Sequence, residues 1–536
     1  MQRVVRVLLV VVALVASSCS GGDEPIAQDA QPSSSALATP ESSPTTAVPE
    51  GLAFSDATPR TLRVSVPTIE FVAPYLVDET DAVAVLITDL LTDGLTERDT
   101  ESGIAVPGLA ESWSVSDDRL SWTFQLGDFT FGNGTPIVAA DVVASLNRVA
   151  DRGLDSLSGP NLWSIEGWDA ASTPGVLVAG VESVGESTVV ITLTEQFEAL
   201  PEVLAGVTFG VYPAEERSSD VMPVSSSAYY VPTAIWEDGF RVSSDIDGQE
   251  ISMIEVFIDP ERTMLAASET DLAVGFDPDE PVGGLTAATI QRSADAFFAM
   301  NAEAKPFDDV MIRQAVVHAI DREAIRAEFF PNAGLMQGFV PHAVPGGSPD
   351  ACGESCRFDM EQARLLVEAS PNRDVEFTVD YFVAEGDDDT EQRLAELIAS
   401  SLRDVGLVAT ARSHTRADYG VRAANGELGL FRFGSVSTTL TAEADLGAMF
   451  HTAGRDNLSG TSIERFDEFI AAARLEANPV VRASIYGDAE RVLFAEAVVL
   501  PLAEFSHHLA FTDVLESAGL EPDGSLDLDA IVFASN

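Results

Sequence analysis

Over residues 306–505 the apolar residues keep changing period, and this alternation limits the possible fold most tightly. PFDDVMIRQAVVHAIDREAIRAEFF (306–330) reads as two helices. Val310, Ala315, Val316 and Ala319 form the buried stripe, and Asp309 and Asp321 stand where a side-chain oxygen caps first-turn amides. MEQARLLVEA (360–369) is a helix and VEFTVDYF (375–382) a strand. EQRLAELIASSLRDVGL (391–407) is a helix that stops before Gly406, and ELGLFRFG (427–434) is a strand. ERFDEFIAAARL and RASIYGDAERVLFAEA follow as helices and VVLPLAEF (498–505) as a strand. Such alternation predicts an α/β lobe, with helices laid against a sheet.

The first half is patterned differently. TLRVSVP (61–67) alternates as a strand, and AVAVLITDLLTDGL (82–95) has helical spacing that stops at Gly94. SWSVSDDRLSWTFQL (112–126) reads as a hairpin turning at Asp117 and Asp118. TPIVAADVVASLNRVAD (135–151) is an amphipathic helix with Val142, Val143, Leu146 and Val149 on one face. VESVGESTVVITL (181–193) is a second hairpin, joined at Gly185 and Glu186, and ISMIEVFI (251–258) is a strand.

At the start, Val7 to Ala16 is about half the length of an apolar run that spans a bilayer. Arg3 and Arg6 precede it and small residues follow, the pattern of an export signal over residues 1–18. Ala16-Ser17-Ser18-Cys19 resembles the bacterial lipobox, with alanine in place of the usual leucine. That resemblance implies lipidation of Cys19 and a diacylated membrane anchor. The alternative is an ordinary signal peptide cut nearby. Residues 19–60, rich in Ser, Pro, Thr and Ala, read as a flexible linker.

Charge narrows the partners. With 30 basic against 86 acidic residues the formal charge is −56, and Lys305 is the single lysine. Such a surface repels phosphate backbones, which excludes nucleic acid. A cationic ligand and a solvated anionic surface both fit the acidity. Cys352 and Cys356 in ACGESC are spaced to close a small disulfide loop outside the cytoplasm. A metal or redox pair is the competing idea, and no histidine is near in sequence to complete it. There is no Gly-x-Ser-x-Gly, no His-Glu-x-x-His and no phosphate loop, so no enzyme signature emerges.

GIAVPGLAESWSVSDDRLSWTFQLGDFTFGNGTPIVAADVVASLNRV (103–149), AMNAEAKPFDDVMIRQAVVHAIDREAI (299–325), FDMEQARLLVEA and VVLPLAEF occur in this order. Together they resemble the extracellular solute-binding proteins of family 5, the oligopeptide- and dipeptide-binding receptors of ABC importers. The resemblance covers roughly 61–510. It implies an α/β, two-lobed periplasmic-binding-protein-like fold (class II/cluster C type) with an extra subdomain inserted in the first lobe. Lobe I would be 61–297 with the subdomain at about 77–173, lobe II 298–506, and 507–536 a C-terminal return to lobe I. It further implies a monomer without cofactor, metal or catalysis. Its partners would be a small-molecule or peptide ligand, ABC permease and ATPase subunits, and the membrane through the lipid anchor, on the extracytoplasmic face (periplasm or cell wall space). A sensor or scaffold that keeps the fold without transport is the alternative.

Two departures bear on the ligand. PVSSSAYYVPTAIW (223–236) stands where the family has a GTGPYKL-like run. GSVSTTLTAEAD (434–445) lacks the acidic residue that, in peptide-binding members, pairs with the peptide amino terminus. A buried ammonium without a carboxylate is costly, so sugars, opines and metal chelates join peptides as candidate ligands. Strand ends and crossover segments should line the cleft. The candidates are Glu70, Phe71 and Tyr75 after the first strand, and Tyr229, Tyr230 and Trp236 from the serine-rich stretch. Phe433, Ser435 and Ser437 come from the second lobe, and Phe505 and His507 follow the last crossover strand.

Overall fold

The computed structural model describes residues 59–535, apart from 70, 73, 78–79, 101, 154–155, 157, 174, 216–223, 228, 245–249, 262, 267, 276–284, 342–343, 384–388 and 437–438. Cys19, Glu70 and Ser437 therefore lie outside the described residues.

One mixed sheet of 11 described strands runs through the molecule. From one edge its order is Val408–Thr415, Glu376–Val383, Leu430–Val436, Thr286–Met300, Val499–Phe511, Leu272–Val274, Arg60–Val66, Ile251–Ile258, Gly239–Ser243 and Val231–Trp236. The short strand Gly334–Leu335 pairs with Val499–Phe511 off this path. At the centre two long strands lie antiparallel, with Thr286 opposite Phe511 and Ala299 opposite Val499. Leu430–Val436 pairs with the late half of the first long strand, and Leu272–Val274 with the late end of the second. Among the described residues the long pair is therefore the only sheet connection between the two ends of this path.

Three separate cores show why the sheet divides there. One gathers Leu62, Val64, Leu86, Val256 and Leu272 with Leu509, Phe511 and Phe533 from the C-terminal segment. Another runs from Phe297 to Leu502 and packs Phe297, Phe339, Phe433 and Phe494. The third, from Leu95 to Val211, belongs to the four-stranded antiparallel sheet formed by the two expected hairpins and to helix Ala139–Arg152. Burial of apolar faces drives each, because a sheet face or helix stripe left wet forgoes about 25 cal/mol per Å².

Local signals operate as the sequence suggests. Asp309 accepts from Met311 N at 2.9 Å and Asp321 from Ala324 N at 3.0 Å, opening helices Val310–Ala319 and Arg322–Phe329. The hairpins form as strands Ala110–Val115 with Ser121–Leu126 and Val181–Val184 with Thr188–Thr192. Cys352 and Cys356 are joined as a disulfide, with Cα atoms 5.5 Å apart, at the margin of the Phe297–Leu502 core. No helix among the described residues is long and apolar enough to cross a membrane.

Candidate functional site

The candidate site is the gap between these cores, where polar side chains reach from one to another. Arg98, at the end of strand Thr96–Arg98, donates from Nη1 to Leu440 O at 3.0 Å and from Nη2 to Thr439 O at 3.1 Å. Asn161 Nδ2 donates to Thr439 Oγ1 at 3.3 Å. Arg482 pairs with Glu202 across the same gap, and Glu198 N donates to Arg474 O at 3.0 Å. Arg474 also holds Glu443, donating from Nη2 at 2.6 Å, and its guanidinium lies 4.6 Å from the Trp163 ring centroid. Glu443 accepts a further bond from the Tyr486 hydroxyl at 2.9 Å. A crevice of about 400 Å³, open mouth included, remains between Ile104 and Glu202 on one side and Thr441, Arg482 and Tyr486 on the other.

At the crossing strands three residues stand abreast. Asp295 on the first long strand is opposite Ser435 on one neighbour and Glu504 on the other. Directly opposed side chains share a sheet face, and Ser435 Oγ donates to Asp295 Oδ2 at 3.4 Å. Burial, then Asp445 and Glu504, raise the Asp295 carboxyl well above the usual carboxylate range. Glu490 is wholly buried beneath this face. Its Oε1 accepts from Val340 N at 3.1 Å and from Phe339 N at 2.5 Å. Burial outweighs these bonds and lifts its pKa to about 7.

A second group of carboxylates gathers around helix Ala82–Leu91 and the C-terminal segment. Asp89 lies on helix Ala82–Leu91, Asp93 just beyond it, and Glu97 on the following strand. Asp89 is exposed at its surface, yet desolvation raises its carboxyl well above the ordinary value, followed by Asp523, Asp93 and Glu521. Glu97 is raised by desolvation, then by Asp93 and Asp89. Glu521 is lifted to about 7 by desolvation, then by Asp523.

The sequence candidates scatter over this geometry. Phe433, Ser435 and Phe505 gather at the crossing strands. The Phe433 ring is buried 5.5 Å from Phe297, and Phe505 stands 6.1 Å from Phe330, edge to face. Phe71 packs edge to face on Phe240 at 5.4 Å, and Tyr75 lies in the helical turn Pro74–Leu76. Tyr230 enters the core that holds Leu62 and Val256 instead of a wall, because its hydroxyl donates to Ile251 O at 2.7 Å and it is 3% exposed. Trp236 sits at the far edge strand against Phe257, 5.4 Å away. His507 is buried beneath the C-terminal segment with Nε2 3.1 Å from Pro522 O. A carbonyl only accepts, so Nε2 carries the proton, and burial lowers the pKa to about 3. Tyr229 is half-buried, and its phenol is raised by burial, then by Glu97 and Asp93.

These carboxylate groups escaped sequence reasoning. Asp89, Asp93 and Glu97 recur every four residues, but among 86 acidic residues that spacing carries no weight.

Comparison with known proteins follows this geometry. The family model of bacterial extracellular solute-binding proteins, family 5 Middle, matches residues 105–239 and 256–457. Heme-binding protein A of Haemophilus influenzae is 26% identical over 440 residues, covering 74% of this chain and 78% of that protein. Glutathione-binding protein GsiB of Shigella dysenteriae serotype 1 is 26% identical over 477 residues, covering 80% and 86%. The solved structure of HbpA2 from Haemophilus parasuis superposes with a TM-score of 0.71 at 22% identity, over 89% of this chain and all of that one.

Proposed function

The chain belongs to the bacterial extracellular solute-binding proteins of family 5, and from that premise we propose that it is a lipid-anchored receptor that traps a peptide or other small solute between two lobes. Family 5 binding proteins are extracytoplasmic, serve ABC importers and are solute carriers instead of enzymes. The reading takes 61–297 with the return 507–536 as one lobe and 298–506 as the other. Separate cores at Leu62–Val274 with Leu509–Phe533, and at Phe297–Leu502, support that division. The core spanning Leu95–Val211 supports an inserted subdomain that extends past residue 173.

One observation carries the reading: among the described residues the sheet joins its two end cores through one antiparallel strand pair, and polar contacts such as Arg98 to Thr439 O reach between cores. A two-strand connection bends at low cost, and a ligand held by both sides favours the closed arrangement. Affinity arises from desolvation plus a few directed hydrogen bonds. Cys19 supplies the anchor in this reading.

The test is a thermal-shift screen of the purified protein against di- and tripeptides, glutathione, heme, sugars, opines, amines and metal chelates. A ligand at about 100 times its Kd stabilises by about 2.7 kcal/mol and raises the melting temperature. No shift with any member rejects solute capture. Metabolic labelling with a fatty acid, lost in Cys19→Ala, tests the anchor.

A further inference from the structure

Leu440 stands in a backbone conformation that leucine avoids. Its φ is +47°, in the left-handed region, and its side chain is buried. A bulky residue keeps such a backbone only where its surroundings hold it there. Here the hold comes across the gap. Arg98 donates from Nη1 to Leu440 O and from Nη2 to Thr439 O. An extended chain sends successive carbonyls to opposite sides. The turn at Leu440 brings both to one side, where a single planar guanidinium meets them. Thr439 is held again through its Oγ1, which accepts from Asn161 Nδ2 at 3.3 Å.

The chain beyond Leu440 is unusual as well. Glu443–Gly447 winds as a π-helical turn, a geometry found mostly at functional sites. The Glu443 carboxylate packs into the space that a side chain at Gly447 would need. Arg474 fixes Glu443 from Nε at 2.9 Å and Nη2 at 2.6 Å, and sets the same guanidinium against the Trp163 ring. Trp163 in turn lies 6.3 Å from Phe197 of the Leu95–Val211 core. Residues 439–447 are therefore gripped twice from that side, by Arg98 and Asn161 at the start and by Trp163 through Arg474 further on. Leu440, Thr441 and Ala442, between the two grips, line the crevice.

We propose that residues 439–447 form a strained clasp between the Leu95–Val211 core and the Phe297–Leu502 core. Leu440 stays left-handed only while Arg98 engages it, and relaxes when the cores part. The proposal rests on the two-lobed receptor reading but requires no particular solute. Arg98 favours closure and the backbone of Leu440 opposes it, so contacts from a solute held by both sides decide the outcome. The consequence is discrimination at the importer. An empty receptor that closed unaided would present itself as loaded, and strain in the clasp keeps that population small.

The test is small-angle X-ray scattering of the purified protein without added solute, on Leu440→Gly and Leu440→Ala, each alone and combined with Arg98→Ala. Both substitutions remove the leucine side chain, and only glycine relieves the backbone. Leu440→Gly is expected to have the smaller radius of gyration, with an open-to-closed ratio about tenfold below that of Leu440→Ala. In the Arg98→Ala background the difference is expected to vanish, because nothing then holds the residue left-handed. Equal radii for glycine and alanine, or a difference that survives Arg98→Ala, overturns the inference. If a Leu440 variant fails to fold, hydrogen exchange of Arg98→Ala decides. Amides of residues 439–447 should then exchange at least about tenfold faster than in wild type, while those of strand Leu430–Val436 do not, and unchanged exchange in 439–447 overturns the clasp. None of these measurements uses a solute, so failure of the clasp is distinct from failure of solute capture in the thermal-shift panel.

Discussion

Arg98 ends the strand that follows Leu95 of one core, Leu440 belongs to another, and the guanidinium donates to the Leu440 carbonyl across 3.0 Å. The same fork reaches Thr439 O at 3.1 Å. Arg98 thus ties strand Thr96–Arg98 to the segment that follows Leu430–Val436, and losing it favours the open arrangement. Charge-assisted bonds of this kind contribute about 1.5–3 kcal/mol each where water is excluded. Arg98→Ala is expected to increase the radius of gyration measured by small-angle X-ray scattering. Arg98→Lys falls between, because an ammonium cannot present a planar fork to two carbonyls. An unchanged scattering curve for Arg98→Ala would show that this contact does not hold the lobes together.

Glu490 links stability to pH. Its folded pKa of about 7 lies above the ordinary 4.5. Between these values the folded state keeps a proton that the unfolded chain releases, so stability falls as pH rises through that window. The contribution is complete below the unfolded value and amounts to about 3 kcal/mol as an upper bound. Glu490→Gln keeps the acceptor facing Phe339 N and Val340 N and removes the titration. Melting temperatures measured from pH 4 to 8 should fall less steeply for this variant on the alkaline side.

His507 acts in the opposite direction. Its pKa is depressed from 6.5 to about 3 by burial. Below pH 6.5 the unfolded chain takes up a proton that the folded state refuses, so stability declines as pH drops toward 3. His507→Gln preserves a donor toward Pro522 O and should flatten the acid limb of the same melting curve. A curve identical to wild type below pH 6.5 would remove His507 from the acid response.

The Cys352–Cys356 disulfide closes a short loop within the Phe297–Leu502 core. Loop-closure entropy for such a loop gives about 2 kcal/mol. Replacing both cysteines with serine should lower the denaturant midpoint without unfolding the protein. In the wild type, thiol alkylation should modify neither Cys352 nor Cys356 before reduction.

Phe297 tests the coupling of the crossing strands to the Phe297–Leu502 core. Its ring is wholly buried, 5.3 Å from Phe339 and 5.5 Å from Phe433, both edge to face. Phe297→Ala should cost about 3–5 kcal/mol, measured as a lower unfolding midpoint. A loss below about 1 kcal/mol would mean that neighbouring rings collapse into the space.

Elements with a clean local pattern could be read directly from the chain. Strand Ile251–Ile258 coincides with the stretch ISMIEVFI, and the Asp309 and Asp321 caps stand where residue type and spacing put them. The first crossover strand, Thr286–Met300, was not legible. Its early half is largely open and its late half is buried on both faces, so no single alternation runs through it. For the same reason the last strand was read only to residue 505, although it continues to Phe511 into the other core. The rings nominated from the serine-rich stretch show the same limit. Residue type marked Tyr230 as a cleft candidate, while the nearby carbonyl of Ile251 drew it into the core.

Residue order alone determined the hairpins, the helix caps, the α/β alternation and the family to which the chain belongs, because those depend on neighbours within a few positions. Only tertiary structure decided which carboxylates come together. Asp89 meets Asp523 and Glu521 from the far end of the chain, and Asp295 meets Glu504 and Asp445. Such meetings follow from strand pairing and the burial of separate cores over hundreds of residues, and in so acidic a chain no local spacing distinguishes a desolvated carboxylate from one dissolved in water.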